Sequence, residues 1–172
     1  MRTAGRNRNF SSSLTLSGAT HGAVILGSVD IGGSVSGGLT GDSQWAVNGN
    51  IGAIQIRGNV AKLQLLAGAK LGPMGQLTTP LAAFSGVSIK SLTIDGSVTS
   101  SWLSAGLDPV DGVFLNGNDQ LLPGGSFGSI SIGSTVDTDT KIVASSLPST
   151  ATIGRQKVPT ASDPRFSLVS NL

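Results

Sequence analysis

Hydrophobic and polar residues alternate along this chain in a pattern that returns. Four stretches carry apolar residues at positions one, three and seven with a small residue at position five: Val29-Ile31-Gly33-Val35, Ile54-Ile56-Gly58-Val60, Leu92-Ile94-Gly96-Val98 and Ile130-Ile132-Ser134-Val136. Polar or small residues separate them, as in Asp30-Gly32-Ser34 and Thr93-Asp95-Ser97. A period of two describes a strand with one buried and one wetted face, so each copy predicts a strand. A fainter copy is expected at Leu14-Leu16-Gly18-Thr20. A second apolar group follows each strand: Leu39, then Leu63 and Leu65, then Trp102 and Leu103, then Ile142 and Val143.

The spacing carries further information. Val29 to Ile54 is 25 residues, whereas Ile54 to Leu92 and Leu92 to Ile130 are each 38. The longer step also brings Ala67-Gly68 onto Ala105-Gly106 and Gly86 onto Gly124. The unit is therefore about 25 residues with at least two short strands, and two copies are lengthened before the next strand. A strand with one apolar face needs neighbours, and stacking equivalent strands from successive units supplies them. The expected fold is all-β, a parallel β-helix or β-solenoid of about four repeats. The alternative is an antiparallel β-sandwich, with Asn48-Gly49 and Asn116-Gly117 as hairpin turns. The repeated glycine suits a place where the backbone bends or closely approaches a neighbour. Residues 1–13 read as a basic, polar lead-in, 14–158 as the repeat domain and 159–172 as a tail.

Composition agrees with many short strands and tight turns. The chain has 172 residues and 25 glycines, no Cys or Tyr, and nine acids that are all Asp. Residues that favour helices are scarce, and β-branched residues and turn-formers dominate. The absence of Cys excludes disulfides and thiolate metal sites. No run is long enough to predict a membrane-spanning helix. Arg2, Arg6 and Arg8 resemble the start of an export signal, but Ser11-Ser12-Ser13 follows where an apolar stretch would be needed.

The endings Gly-Ser-Val35 and Gly-Ser-Val98, the stretch Ala105 to Asp119, and the segment Lys157-Val-Pro-Thr to Asp163-Pro-Arg-Phe166 carry a resemblance. They resemble β-solenoid repeat segments of very large bacterial surface or secreted proteins, over roughly residues 14–166. The resemblance implies an extracellular or cell-surface location and a structural or adhesive module without catalytic activity. It implies as partners other copies of the array or cell-surface glycans.

Charge is uneven. Residues 91–140 contain Asp95, Asp108, Asp111, Asp119, Asp137 and Asp139 and no Lys or Arg. Asp108, Asp111, Asn116, Asn118 and Asp119 place five side-chain oxygen donors within twelve residues, among glycines. Calcium favours six to eight such hard oxygen ligands, so these five are the candidate metal ligands, although the spacing is not that of an EF-hand. The matching loop of the preceding unit, Lys70 to Gln76, contains no acid, which favours a solvated turn. Catalytic readings are weaker. His21 is the single histidine, no Gly-x-Ser-x-Gly elbow is present, and Asp30, Arg57 and Asp95 are expected to stack as a charge ladder. A glycan lyase or hydrolase on a β-helix is the enzyme alternative. Nucleic acid is not an expected partner, because the acidic middle repels phosphate. Trp45 and Trp102 are read as core residues in preference to a sugar-stacking platform.

Overall fold

The computed structural model describes residues 9–17, 22–37, 43–71, 84–108, 110 and 118–167. Among them there is no helix, and the fold is all-β with parallel sheets. The strands run β1 (Leu14–Leu16), β2 (Val24–Ile31), β3 (Val35–Ser36), β4 (Ser43–Val47), β5 (Asn50–Ile56) and β6 (Val60–Ala61). They continue with β7 (Leu63–Ala67), β8 (Ser88–Ile94), β9 (Val98–Thr99), β10 (Trp102–Ala105), β11 (Leu107–Asp108) and β12 (Gln120–Leu121). The last five are β13 (Ser126–Ile132), β14 (Lys141–Ala144), β15 (Thr150–Ile153), β16 (Gln156–Pro159) and β17 (Phe166–Ser167).

Three sheets recur in turn along the chain. The first has the order β16-β15-β13-β8-β5-β2, the second β3-β6-β9, and the third β1-β4-β7-β10-β14-β17. Within the first sheet the pattern copies pair in register: Val29 with Ile54, Ile54 with Leu92, and Leu92 with Ile130, all parallel. The second sheet aligns Val35 with Val60 and Val60 with Val98, and single bridges extend it to Phe10 at one end and Val136 at the other. Parallel pairing at these sequence separations rules the antiparallel sandwich out as the description of the main sheets. Asn48-Gly49 is a corner between β4 and β5, which lie in different sheets.

Two expectations change. Leu14–Leu16 is a strand, but it pairs with Trp45–Val47 in the third sheet and not with Val29. The apolar residue aligned with Leu65, Leu103 and Ile142 in the first unit is Trp45; Leu39 lies outside the described residues.

The inward residues of all three sheets form one core, from Val35, Trp45 and Ile54 to Phe127, Ile142 and Phe166. Phe10 stands edge-on to Trp45 at 5.5 Å between ring centroids and 87° between planes, a favoured aromatic geometry. Polar side chains at the corners add rung-to-rung bonds. Asn9 Oδ1 accepts from Ser34 N–H (2.9 Å), Ser34 Oγ from Asn59 N–H (3.0 Å), and Asn59 Oδ1 from Ser97 N–H (2.9 Å).

The motif glycine is required for close approach and not for an unusual φ. A Cβ on Gly96 would press on the Gly58 carbonyl, with its oxygen at 2.6 Å and its carbon at 2.8 Å. The fourth copy tolerates Ser134 because the tight position moves one residue, to Gly133, whose Cβ would lie 2.9 Å from the Asp95 carbonyl carbon. Left-handed glycines mark the lengthened units instead: Gly68 (φ 88°) and Gly106 (φ 69°) where the chain leaves the third sheet, and Gly86 (φ 67°) and Gly124 (φ 79°) before it enters the first.

After β15 the chain reverses. β15 turns at Gly154-Arg155 into β16, which runs antiparallel to it and carries Lys157 and Pro159 on the edge of the first sheet. Such residues blunt an edge against further pairing. The segment 159–172 contributes β17, which pairs with β14 and buries Phe166.

Candidate functional site

Outward residues of the third sheet would normally be wet, yet Ala46, Leu66 and Val143 are at most 2% exposed. They are covered by residues of both extensions: Ala69 and Leu71 from the first, Leu107 and Leu121 from the second, with half-buried Trp102 beside them. The extensions thus form a second apolar layer over the third sheet. At about 25 cal/mol per Å2 of apolar surface, such a layer is a substantial contribution in a chain of this size. Ser104, on the same face, satisfies its buried hydroxyl by donating to Leu65 O (2.9 Å).

The candidate metal ligands are rooted in this layer. β11 and β12 are antiparallel, with Leu107 opposite Leu121 and Asp108 opposite Gln120. The strand pair buries two carboxylates: Asp108 is 0% and Asp119 4% exposed. Asn118 is exposed, and Asp108, Asn118 and Asp119 are each engaged by at least one neighbour. Asp111 and Asn116 lie outside the described residues, as does the expected turn at Asn116-Gly117. Asp108 and Asp119, candidate ligands that a solvated turn would leave exposed, are both drawn into the interior. Among the described residues, no group of three or more His, Cys, Asp or Glu side chains converges to hold a metal.

The expected charge ladder is rearranged. Asp30 stands opposite Gln55, and Arg57 reaches diagonally back to it, with Nη2 to Oδ2 at 3.0 Å and Nε to Oδ1 at 3.3 Å. Asp30, first through its hydrogen bond and then through its charge, raises the Arg57 pKa, and Asp95 adds a smaller attraction. Both partners of the pair are more than half exposed, and exposed pairs contribute little to stability. This is a solvated surface pair. His21 lies outside the described residues. Trp45 is core (1% exposed), and Trp102 packs into the apolar layer over the third sheet.

Two acidic residues that the sequence did not single out as sites prove structural. Asp137 lies at the corner between the second and third sheets, where Ser100 adopts a left-handed φ of 44°. Its carboxylate accepts from Ser100 N–H (2.9 Å), Thr140 N–H (2.9 Å) and Thr140 Oγ1 (2.6 Å). Partial burial alone would raise its pKa, but these bonds, the Thr140 hydroxyl foremost, together hold it below the usual carboxylate value. Asp163 pairs with Arg165 through both carboxylate oxygens, and this hydrogen bonding lowers its pKa. The signal for Asp137 is the run Asp137-Thr-Asp-Thr140, where a short acidic side chain can bond the backbone N–H and hydroxyl three residues on. Nothing in the local sequence marks Arg165, whose importance comes from where the reversed β16 leaves it.

Among the described residues no helix is long and apolar enough to cross a membrane. No protein-family model, curated protein or solved structure significantly matches the chain.

Proposed function

We propose that the chain is a β-solenoid module, parallel β-helix-like, that serves as a structural or adhesive element of a secreted or cell-surface bacterial protein and has no catalytic activity. The observation that carries the reading is the shared register of three parallel sheets. The sequence offsets of 25, 38 and 38 residues reappear as rung-to-rung pairs: Val29 with Ile54, Ile54 with Leu92, Leu92 with Ile130. Each unit then contacts chiefly its neighbours, which favours an elongated, rigid shape. The resemblance of its motifs to repeats of large surface proteins supports the location, with other copies of the array or cell-surface glycans as partners. Extension of the chain between handles by force spectroscopy tests the role. A stack that holds its shape rung by rung should release contour in steps of one unit, roughly 80–130 Å at 3.3–3.6 Å per residue. Release of reducing ends from a panel of polysaccharides would overturn the non-catalytic reading in favour of a β-helix glycan lyase or hydrolase.

Calcium binding at the β11–β12 extension is the second reading, favoured by the joint burial of Asp108 and Asp119. Asp111, Asn116 and Asn118 are the further oxygen donors of that segment. A cation that binds the native state must raise the unfolding midpoint, so melting with calcium and with a chelator tests it. An unchanged midpoint at millimolar calcium counts against the site.

A further inference from the structure

The second sheet has a fixed direction that ends in a cleft. At each rung the backbone of the inward residue bonds toward the next rung in chain order. Phe10 N–H donates to Ser34 O (2.8 Å) while Phe10 O accepts from Ser36 N–H (3.0 Å). Val35 N–H donates to Asn59 O and Val60 N–H to Ser97 O, both at 2.8 Å. Val98 repeats the Phe10 arrangement, donating to Thr135 O (2.8 Å) and accepting from Asp137 N–H (3.2 Å). By the same alternation Val136 turns its N–H and C=O away from Val98, toward the end of the stack.

Among the described residues no further rung of this sheet follows there, because β15 reverses into β16 at the point where earlier units continue into the second sheet. The Val136 carbonyl instead accepts a long bond from Arg165 Nη1, at 3.4 Å. A cleft of about 370 Å3 remains, between Thr135 and Val136 on one side, Ile153, Gly154 and Val158 of the reversed hairpin on the other, and Arg165. That volume falls at the lower end of ligand-site sizes and suits a few residues of extended chain.

We propose that this cleft binds an extended segment of a partner protein as an added rung of the second sheet. The ladder itself specifies the chemistry. Every rung from Val35 onward presents a small polar residue followed by Val: Ser34-Val35, Asn59-Val60, Ser97-Val98 and Thr135-Val136. A Ser-Val or Asn-Val segment would place its polar residue's carbonyl on Val136 N–H and the N–H after its Val on Val136 O, displacing Arg165 Nη1. The added Val would meet Val136 and Ile153, each 8% exposed, and Val158. Its polar side chain would continue the corner ladder, in which Thr135 Oγ1 donates to Ser97 Oγ (3.1 Å). Strand addition of this kind draws affinity from main-chain bonds and specificity from alternate side chains. Arg165 is already neutralised by Asp163, so an uncharged segment is favoured over an anion.

The test titrates the full chain, labelled for NMR, with the capped peptide Gly-Gly-Ser-Val-Ser-Gly, the sequence of residues 32–37. Saturable shifts confined to Val136, Ile153, Val158 and their neighbours are expected. Replacing the peptide's Val by Asp, or Thr135→Arg in the protein, should weaken binding at least tenfold. Arg165→Ala should leave binding intact or tighten it. The spectrum of each variant reports that it is folded, and Thr135 is exposed, so that substitution should not disturb the core. Absence of shifts up to millimolar peptide would overturn the proposal, as would equal binding of the Asp peptide. Loss of binding in Arg165→Ala would show that the guanidinium holds the segment, in place of strand addition at Val136, and would overturn the proposal. Concentration-dependent self-association that the peptide reverses would assign the cleft to a second copy and overturn the partner assignment.

Discussion

One ladder position permits the same substitution to be made twice with opposite expectations. Gly27 and Gly52 occupy adjacent strands, between the paired residues Leu26–Ile51 and Ser28–Ala53. A Cβ at Gly52 would fall well inside contact with the Gly27 carbonyl oxygen, 3.0 Å from its carbon and 3.4 Å from Gly27 Cα. All three obstacles are backbone, so no rotamer change relieves them; β2 must separate from β5. Overpacking costs about 1–3 kcal/mol where side chains can yield, and with rigid backbone on both sides the upper end applies, about 3 kcal/mol. For a chain of this size that lowers Tm by roughly 6–12 °C. At Gly27 a Cβ would meet nothing within 4 Å, and its φ is not in the left-handed region. There the loss of unfolded-state freedom dominates, and Gly27→Ala should be neutral or stabilising by about 0.5 kcal/mol. Urea unfolding followed through the fluorescence of buried Trp45 measures both. Equal costs at the two positions, or an innocuous Gly52→Ala, would refute the claim that these rungs stack at backbone contact.

Two further outcomes follow from the same structure. Leu66→Ala removes the centre of the apolar layer over the third sheet and should cost about 2 kcal/mol, the lower end of the range because the cluster is small. Its clearest readout is faster amide hydrogen exchange at Leu107 and Leu121 with the main sheets still folded, since β11 and β12 lose their anchor. Asp137 and Asp163 both have pKa values lowered by folding, so their stabilisation is complete above the unfolded carboxylate pKa near 3.9 and is lost as pH falls through the lower folded values. Tm should therefore be flat from pH 7 to about 5 and fall below pH 4, and Asp137→Asn should flatten part of that fall.

Period-two alternation made the strands of the first sheet legible, because each copy has one wet face and one dry face. The register was legible too, since the spacing of Ile54, Leu92 and Ile130 is the spacing of the pairs. The third sheet was harder to read. Its strands are apolar on both faces, as in Leu63-Gln-Leu-Leu-Ala67, because the extensions cover the outer one, and a continuous apolar run carries no phase. Trp45 was missed as the partner of Leu65 because the first unit carries five more residues between Val35 and Trp45 than the second carries between Val60 and Leu65. The candidate ligands were found as a group, but the burial of Asp108 and Asp119 depends on Leu107 and Leu121 packing onto Leu66 and Val143, which no local pattern encodes. The cleft beside Val136 depends on the chain reversing at Gly154, and only the three-dimensional arrangement reveals it.

The stacking of interchangeable units is tested most directly by removing one. Deleting residues 54–91 takes out 38 residues and joins Ala53 to Leu92, leaving Val29 to pair with Leu92, Val35 with Val98, and Trp45 with Leu103. The account predicts a folded protein with the same β-sheet circular dichroism shape and a single cooperative urea transition. Its m-value should be lower by about a fifth, in proportion to the 38 of 172 residues removed. A comparison deletion of residues 63–81, which removes β7 but keeps β5, β6 and β8, should fail to fold. An unfolded 54–91 deletion, indistinguishable from the 63–81 deletion, would contradict the account.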